Sequence, residues 1–355
     1  MKKILLVGPY PPLFSYGGPT KSIYGLKKCL SKNFDCYVLS PNRNLDGTLN
    51  KNLKNVKSIF YKSSSSKFLL LNAHKYDIIW FNSFFEHRLI LLILMSLTLK
   101  FKLIISPRGQ LANNAINTSN IILKKLFIKI IKPFKSNFIF HSTSESESND
   151  IIEKFQKVRI KELPNIFSLN FIRNNSYEKN YLFYSRIHKK KGLNFLLKTL
   201  NNCSLNIKLD IYGFIEDHEY WNECKKNMKN LNHVNYKGEI KNGNISMLAD
   251  KYTFFILPTL NENYGHVIIE LLSLGIIPII SKKTTPFDSL LDKGIGFNFD
   301  LTSSNELEKI INKTKKLSID ELSNLKTNVS SVFQLLKHDL ESITKEYINF
   351  VNHTK

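Results

Sequence analysis

Fourteen residues carry the densest chemistry in the chain: Leu257-Pro-Thr-Leu-Asn-Glu262-Asn263-Tyr264-Gly265-His266-Val-Ile-Ile-Glu270. The segment leaves a buried strand, turns, and enters a helix. Glu262 falls in the turn. Glu270 lies about two turns into the helix, among Val267, Ile268, Ile269, Leu271 and Leu272. A carboxylate on so apolar a helix needs hydrogen-bond partners once buried, and sugar hydroxyls are one class of partner. N–H groups near Tyr264–His266 could hold phosphate oxygens or hydroxyls. A glutamate drawn to the helix dipole, with a second on a solvent face, fits the same spacing.

Arg186 and Lys189-Lys190-Lys191-Gly192 follow another strand and stand at a helix start. Cations there oppose the helix dipole unless an anion sits among them. Arg186 and Lys191 converging on a pyrophosphate would neutralise a departing nucleotide diphosphate. A solvated basic turn is the other reading. In the first half, Ser106-Pro107-Arg108-Gly109-Gln110 follows a strand, so Arg108 and Gln110 stand where ligands bind. His141 ends a further strand and fits a satisfied core histidine more readily than a catalyst. Ser144 and Glu147 after it form a capping box. The first loop, Gly8 to Thr20, carries Gly17 and Gly18, which permit close backbone approach to an anion at the helix N-terminus.

Positioning these residues takes alternating strands and helices. In the first half the spacing predicts strands at Ile4–Gly8, Cys36–Ser40, Ser58–Tyr61, Ile78–Asn82, Leu103–Ser106 and Asn137–His141. Helices are predicted at Gly18–Ser31, Phe85–Thr98, Ile121–Ile131 and Ser144–Phe155. The second half repeats the pattern. Its strands are Tyr181–Ser185, Ile207–Tyr212, Val234–Lys237, Phe254–Leu257 and Pro278–Ser281, with helices Gly192–Leu200, His218–Leu231 and Tyr264–Leu274 between them. After about residue 303 the chain reads as helical and charged. Strands apolar on both faces and separated by helices imply parallel sheets covered on both sides. The expected class is α/β, with two doubly wound Rossmann-like domains facing across a cleft. The expected division is 1–165, 166–335 and a C-terminal helix, 336–355, packing back on the first domain. Ser63–Ser66 reads as a loop.

Composition narrows the function. The 355 residues hold 51 Lys+Arg and 29 Asp+Glu, a net charge of +22. Residues 1–165 hold 26 basic and 9 acidic residues, so 26 − 9 = +17 lies in the first half. A one-sided basic field attracts polyanions: nucleic acid, anionic lipid or phosphorylated substrates. A lysine-rich proteome gives the same charge with no partner. Cys29, Cys36, Cys203 and Cys224 show neither a CxxC nor a metal-ligand spacing, so reduced cysteines and a cytoplasmic setting are expected. Ile4–Gly8 reads as a first strand rather than the core of a signal peptide. Leu89–Leu99, eleven residues, is too short to span a bilayer and reads as a buried core helix.

Taken in order, these segments resemble the group 1 (family 4) retaining glycosyltransferases of the GT-B fold. Ser185-Arg186-Ile187-His188 with Lys191-Gly192-Leu193 looks like the arginine and lysine motif. Glu262-Asn263-Tyr264-Gly265 through Glu270 looks like the signature glutamate pair, with Gly275-Ile-Ile-Pro278 after it. The resemblance implies that Arg186 and Lys191 bind the donor diphosphate and Glu270 the ribose hydroxyls. Glu262, with backbone groups from Asn263 to Gly265, would bind the donor sugar. Gly17 and Gly18 would let the first domain close over the diphosphate. Arg108, Gln110 and His141 would face the acceptor. Arg108 stands where many members present a histidine, and Pro164-Asn165-Ile166 where Pro-Asn-Gly is usual. The resemblance further implies no metal and no cofactor, and a nucleotide-sugar donor. It implies a saccharide acceptor, typically lipid-linked, in bacterial surface polysaccharide, lipopolysaccharide or capsule assembly at the inner face of the plasma membrane. Other readings are an epimerase or phosphorylase of the same fold, or a basic nucleic-acid binder. The last would need a recognisable binding module, and none is found.

Overall fold

The computed structural model describes residues 1–8, 18–41, 58–61, 65–117, 120–167, 169–203, 205–240, 244–262 and 264–354. The chain divides into two compact units, Met1–Ser168 with Leu340–Lys355, and Leu169–Asp339.

The first unit is a seven-stranded sheet. Its elements are β1 (Lys3–Val7), α1 (Gly18–Leu30), β2 (Asp35–Pro41), β3 (Ser58–Tyr61), α2 (Ser65–Asn72), β4 (Ile78–Phe81) and α3 (His87–Ser96). They continue with β5 (Lys102–Ile105), α4 (Asn113–Ile116), α5 (Ile121–Ile131), β6 (Phe138–Ser142), α6 (Glu145–Phe155) and β7 (Ile160–Glu162). The strand order is β3-β2-β1-β4-β5-β6-β7, all parallel. The strands are apolar on both faces because both are covered. Leu5, Ile79, Leu103 and Phe140 point into one core, and Ile4, Leu6, Trp80 and Ile104 into the other.

The second unit has six parallel strands in the order β10-β9-β8-β11-β12-β13. Its elements are β8 (Tyr181–Tyr184), α7 (Leu193–Asn202), β9 (Leu209–Tyr212), α8 (His218–Met228), β10 (Val234–Gly238), β11 (Phe254–Leu257) and α9 (His266–Ser273). Then come β12 (Ile277–Ser281), α10 (Asp288–Leu290), β13 (Phe297–Phe299), α11 (Ser304–Lys316) and α12 (Ile319–His353). Residues of α12 up to Asp339 belong to this unit, and those from Leu340 to the first. Each sheet runs outward from its first strand in one direction and returns to extend in the other. A switch point therefore lies at β1/β4 and another at β8/β11, where an open α/β sheet offers a crevice for ligands.

Several expectations need correction. Ser65 and Ser66 open α2 rather than a loop. The Leu89–Leu99 run is only half buried: α3 ends at Ser96, and Leu94 and Leu97 are exposed. Two edge strands were not anticipated, β7 and β13, each three residues long. α9 starts at His266, so Glu270 sits one turn in, not two.

The α12 residues in the first unit are tied to that unit's interior. Lys2 Nζ donates to the carbonyls of Val351, Asn352 and Thr354 at 2.8, 3.0 and 3.1 Å. These are carbonyls at the helix C-terminus, where a cation also opposes the negative dipole end. Tyr347 packs beside Trp80 and His141. The four cysteines are free, and three of them are buried.

Candidate functional site

Gly192 sets the geometry at the second switch point. Its backbone approaches the loop after β11 so closely that an added Cβ would lie 1.8 Å from Pro258 O, and its φ is +68°. Only glycine meets both conditions. The two loops are then stitched together. Leu260 N donates to Lys190 O at 2.8 Å, and Thr259 Oγ1 to the same carbonyl at 3.1 Å. Glu262 N donates to Thr284 O at 2.7 Å, tying in the loop after β12.

This frame brings Lys191 and Glu262 together. Lys191 Nζ donates to Glu262 Oε1, which also lies 3.3 Å from Thr259 Oγ1. Both side chains are 12 % exposed, so water screens the pair weakly. Arg186 is also paired: its Nη1 lies 2.7 Å from each oxygen of Glu216. Glu216 follows β9 as Arg186 follows β8, and the parallel bridge Ile187–Ile215 sets them side by side. That partner was missed in the sequence, although two adjacent strand ends could have suggested it.

Glu270 is 7 % exposed, on the inner side of α9. Tyr184, at the end of β8, is its neighbour. Burial, and then the Glu270 charge, push the Tyr184 hydroxyl well above its ordinary pKa. α9 has no side-chain cap, its N-cap being Gly265 at φ 71°. In its first turn Ile268 N donates to Gly265 O at 2.8 Å. Tyr264 packs edge-on against His266 and Phe287. Of the expected donor-site residues, Arg186, Lys191, Glu262, Tyr264, Gly265 and Glu270 all stand on the loops and helix at the β8/β11 end of this sheet. Asn263 and Gly17 lie outside the described residues.

In the first unit Gly18 opens α1. Arg108 ends the β5 loop with φ +57°, a region that non-glycine residues rarely occupy. Its Nη1 donates to Asn165 Oδ1 at 2.6 Å and its Nη2 to Asn82 Oδ1 at 2.7 Å. Its Nε is buried without a hydrogen-bond partner. The guanidinium is thus held by two neutral amides, and burial lowers its pKa. Gly109 N donates to Glu147 Oε1 at 2.7 Å, so Glu147 anchors this loop as well as α6. Gln110 is occupied locally, its Oε1 accepting from Phe84 N at 2.5 Å.

His141 is fully buried. Trp80 Nε1 donates to Ser106 Oγ at 2.8 Å, and Ser106 Oγ is 2.8 Å from His141 Nδ1. On the other side His141 Nε2 is 2.8 Å from Tyr347 Oη, which reaches Pro164 O at 3.0 Å. Indole only donates and a carbonyl only accepts, so the chain has one direction. Ser106 donates to Nδ1, Nε2–H donates to Tyr347 Oη with Leu163 O also 3.1 Å away, and Tyr347 donates to Pro164. Burial and the Arg108 charge hold the His141 pKa well below its ordinary value. The histidine is a neutral link in the interior.

Residues 166–331 match the family model of group 1 glycosyl transferases. The chain carries a group 1 glycosyltransferase domain. No curated protein sequence matches it. Solved structures match at the level of fold. HepE of Anabaena, in complex with UDP and glucose, is 16 % identical with TM-score 0.77, over 99 % of this chain and 100 % of that one. Sucrose-phosphate synthase of Thermosynechococcus elongatus is 14 % identical with TM-score 0.78, over 99 % and 98 %. WaaG, a glycosyltransferase involved in lipopolysaccharide biosynthesis, is 12 % identical with TM-score 0.70, over 99 % and 100 %. The glycosyltransferase domain is thus set in a chain of the two-unit α/β fold that these proteins share.

Proposed function

We propose that the protein is a retaining glycosyltransferase that moves a sugar from a nucleotide diphosphate to a saccharide acceptor. The observation that carries this reading is Lys191 beside Glu262 at the β8/β11 switch point of a group 1 glycosyltransferase domain. In the reaction, negative charge accumulates on the departing diphosphate. Lys191 and Arg186 stabilise that charge by fixed electrostatics, without a resident cofactor or metal. Glu262, with backbone groups from Asn263 to Gly265, binds the donor sugar. Glu270, buried one turn further, takes the ribose hydroxyls. Retention follows front-face attack, in which the leaving phosphate accepts the acceptor proton.

UDP is the first donor nucleotide to try, because HepE was solved with UDP and with UDP-glucose. We assign the acceptor side to the β5 loop, which Arg108 braces through Asn82 and Asn165. We assign the acceptor to a lipid-linked saccharide of bacterial surface polysaccharide assembly, handled at the inner face of the plasma membrane. The basic first half of the sequence supports that setting. A thermal-shift screen of nucleotide diphosphates and their sugars tests the donor site, because a ligand that binds only the folded state raises Tm. The expected result is a shift with one nucleotide that Arg186→Ala and Glu270→Ala abolish. No shift with any nucleotide, with or without membranes, would overturn the reading.

A further inference from the structure

Helix α5 has two apolar sides. Its sequence is Ile121-Ile-Leu-Lys-Lys-Leu-Phe-Ile-Lys-Ile-Ile131. Phe127, Ile128 and Ile131 pack on the core of the first unit. A second set turns outward: Ile122 is 82 % exposed, Leu123 63 %, Leu126 50 % and Ile130 44 %. Ile122, Leu126 and Ile130 recur every fourth residue and make one stripe. An exposed apolar stripe on a helix that already buries another apolar side calls for a covering.

The charges around the stripe say what the covering is. Lys125 and Lys129 are exposed within α5, and Lys132 just after it. From His87 to Ser144 the chain has nine Lys and Arg residues and no Asp or Glu. A second copy of the same face would set these lysines against each other. An anionic surface with an apolar layer beneath satisfies both the lysines and the isoleucines. We infer that α5 docks the first unit on an anionic lipid bilayer. The helix lies in the plane of the interface, its stripe among the acyl chains and its lysine heads among the phosphates. Eleven residues rise only about 16 Å, so α5 lies on the membrane and does not cross it. The inference rests on the proposed lipid-linked acceptor for its purpose, but not for its physical basis.

The test is co-sedimentation of the full chain with vesicles of phosphatidylcholine alone or mixed equally with phosphatidylglycerol. Binding to the mixed vesicles at low salt is expected, with weakening as salt rises. Ile122→Glu with Leu126→Glu is expected to weaken it more than tenfold. Lys125→Gln with Lys129→Gln should cost about fivefold per lysine and flatten the salt dependence. A Leu126→Trp reporter should shift its emission to the blue on the mixed vesicles. Equal partition of the wild type onto both vesicle types, or the glutamate variant binding like the wild type, would overturn the inference. So would a wild-type dimer that the glutamate variant abolishes with vesicle binding unchanged. The α5 variants should keep the nucleotide-induced Tm shift. Vesicle binding without any nucleotide shift would reject the transferase reading and leave the docking intact.

Discussion

Lys191 and Glu262 neutralise each other across two loops of one sheet end. Each was expected to meet the donor, the lysine its phosphate and the glutamate its sugar. Their ion pair means that the two roles are coupled: a donor phosphate competes with Glu262 for Lys191. Removing one partner of a poorly hydrated pair strands the other, at a cost of about 3–5 kcal/mol when burial is complete. Glu262→Gln and Lys191→Met are each expected to lower Tm, and the double variant to recover part of the loss. Turnover should fall by about 10²–10³ in the Lys191 variant and not recover in the double. Thermal unfolding and sugar-transfer kinetics together read both effects.

Glu216 holds Arg186 in a pair more than a third exposed on the arginine side. Such pairs contribute about 0–1 kcal/mol. Glu216→Gln should therefore barely change Tm. It should tighten nucleotide diphosphate binding by up to about fivefold, because the anion no longer competes with a carboxylate. Calorimetric titration with UDP checks this, and weaker binding would show that Glu216 positions Arg186 rather than competing for it.

Gly192 and Gly238 both have positive φ, but their surroundings differ. A Cβ on Gly192 meets Pro258 O at 1.8 Å, whereas one on Gly238 meets nothing within 4 Å. Gly238→Ala is expected to cost only the left-handed strain, about 1–2 kcal/mol. Gly192→Ala must move the β11 loop as well. It should cost clearly more, and should remove the nucleotide-induced Tm shift that Gly238→Ala retains.

His141 makes stability depend on acid. Its folded pKa lies well below the ordinary 6.5, through burial first and the Arg108 charge second. The unfolded chain therefore binds the extra proton first, and stability is lost as pH falls through about 6.5. Tm of the wild type should drop between pH 7 and 5. His141→Gln should be less stable at pH 7 and show a smaller drop.

Much of this was legible because periodicity is a local signal. β3 and β11 stand where the apolar runs placed them, and α5 spans the predicted residues. Arg186, Lys191, Glu262 and Glu270 could be placed because they follow buried strands or enter the next helix. The edge strands β7 and β13 are three residues each, too short for an alternation to register. Ser65 and Ser66 read as loop, since serine is a weak helix former and only Leu69 and its neighbours reveal α2. The partners were the least visible part. Glu216 for Arg186, and Asn82 and Asn165 for Arg108, come from separate loops that only the sheet order brings together.

The division of the chain has an implication for synthesis. The second unit is continuous, Leu169–Asp339, whereas the first needs residues from both ends. A ribosome delivers the second unit whole before it delivers Tyr347, whose hydroxyl accepts a hydrogen bond from His141 and whose ring packs beside Trp80. Until then the first sheet waits with a histidine and an indole uncovered. A nonsense codon late in the reading frame would spare the glycosyltransferase domain and leave the other half of the molecule for proteases.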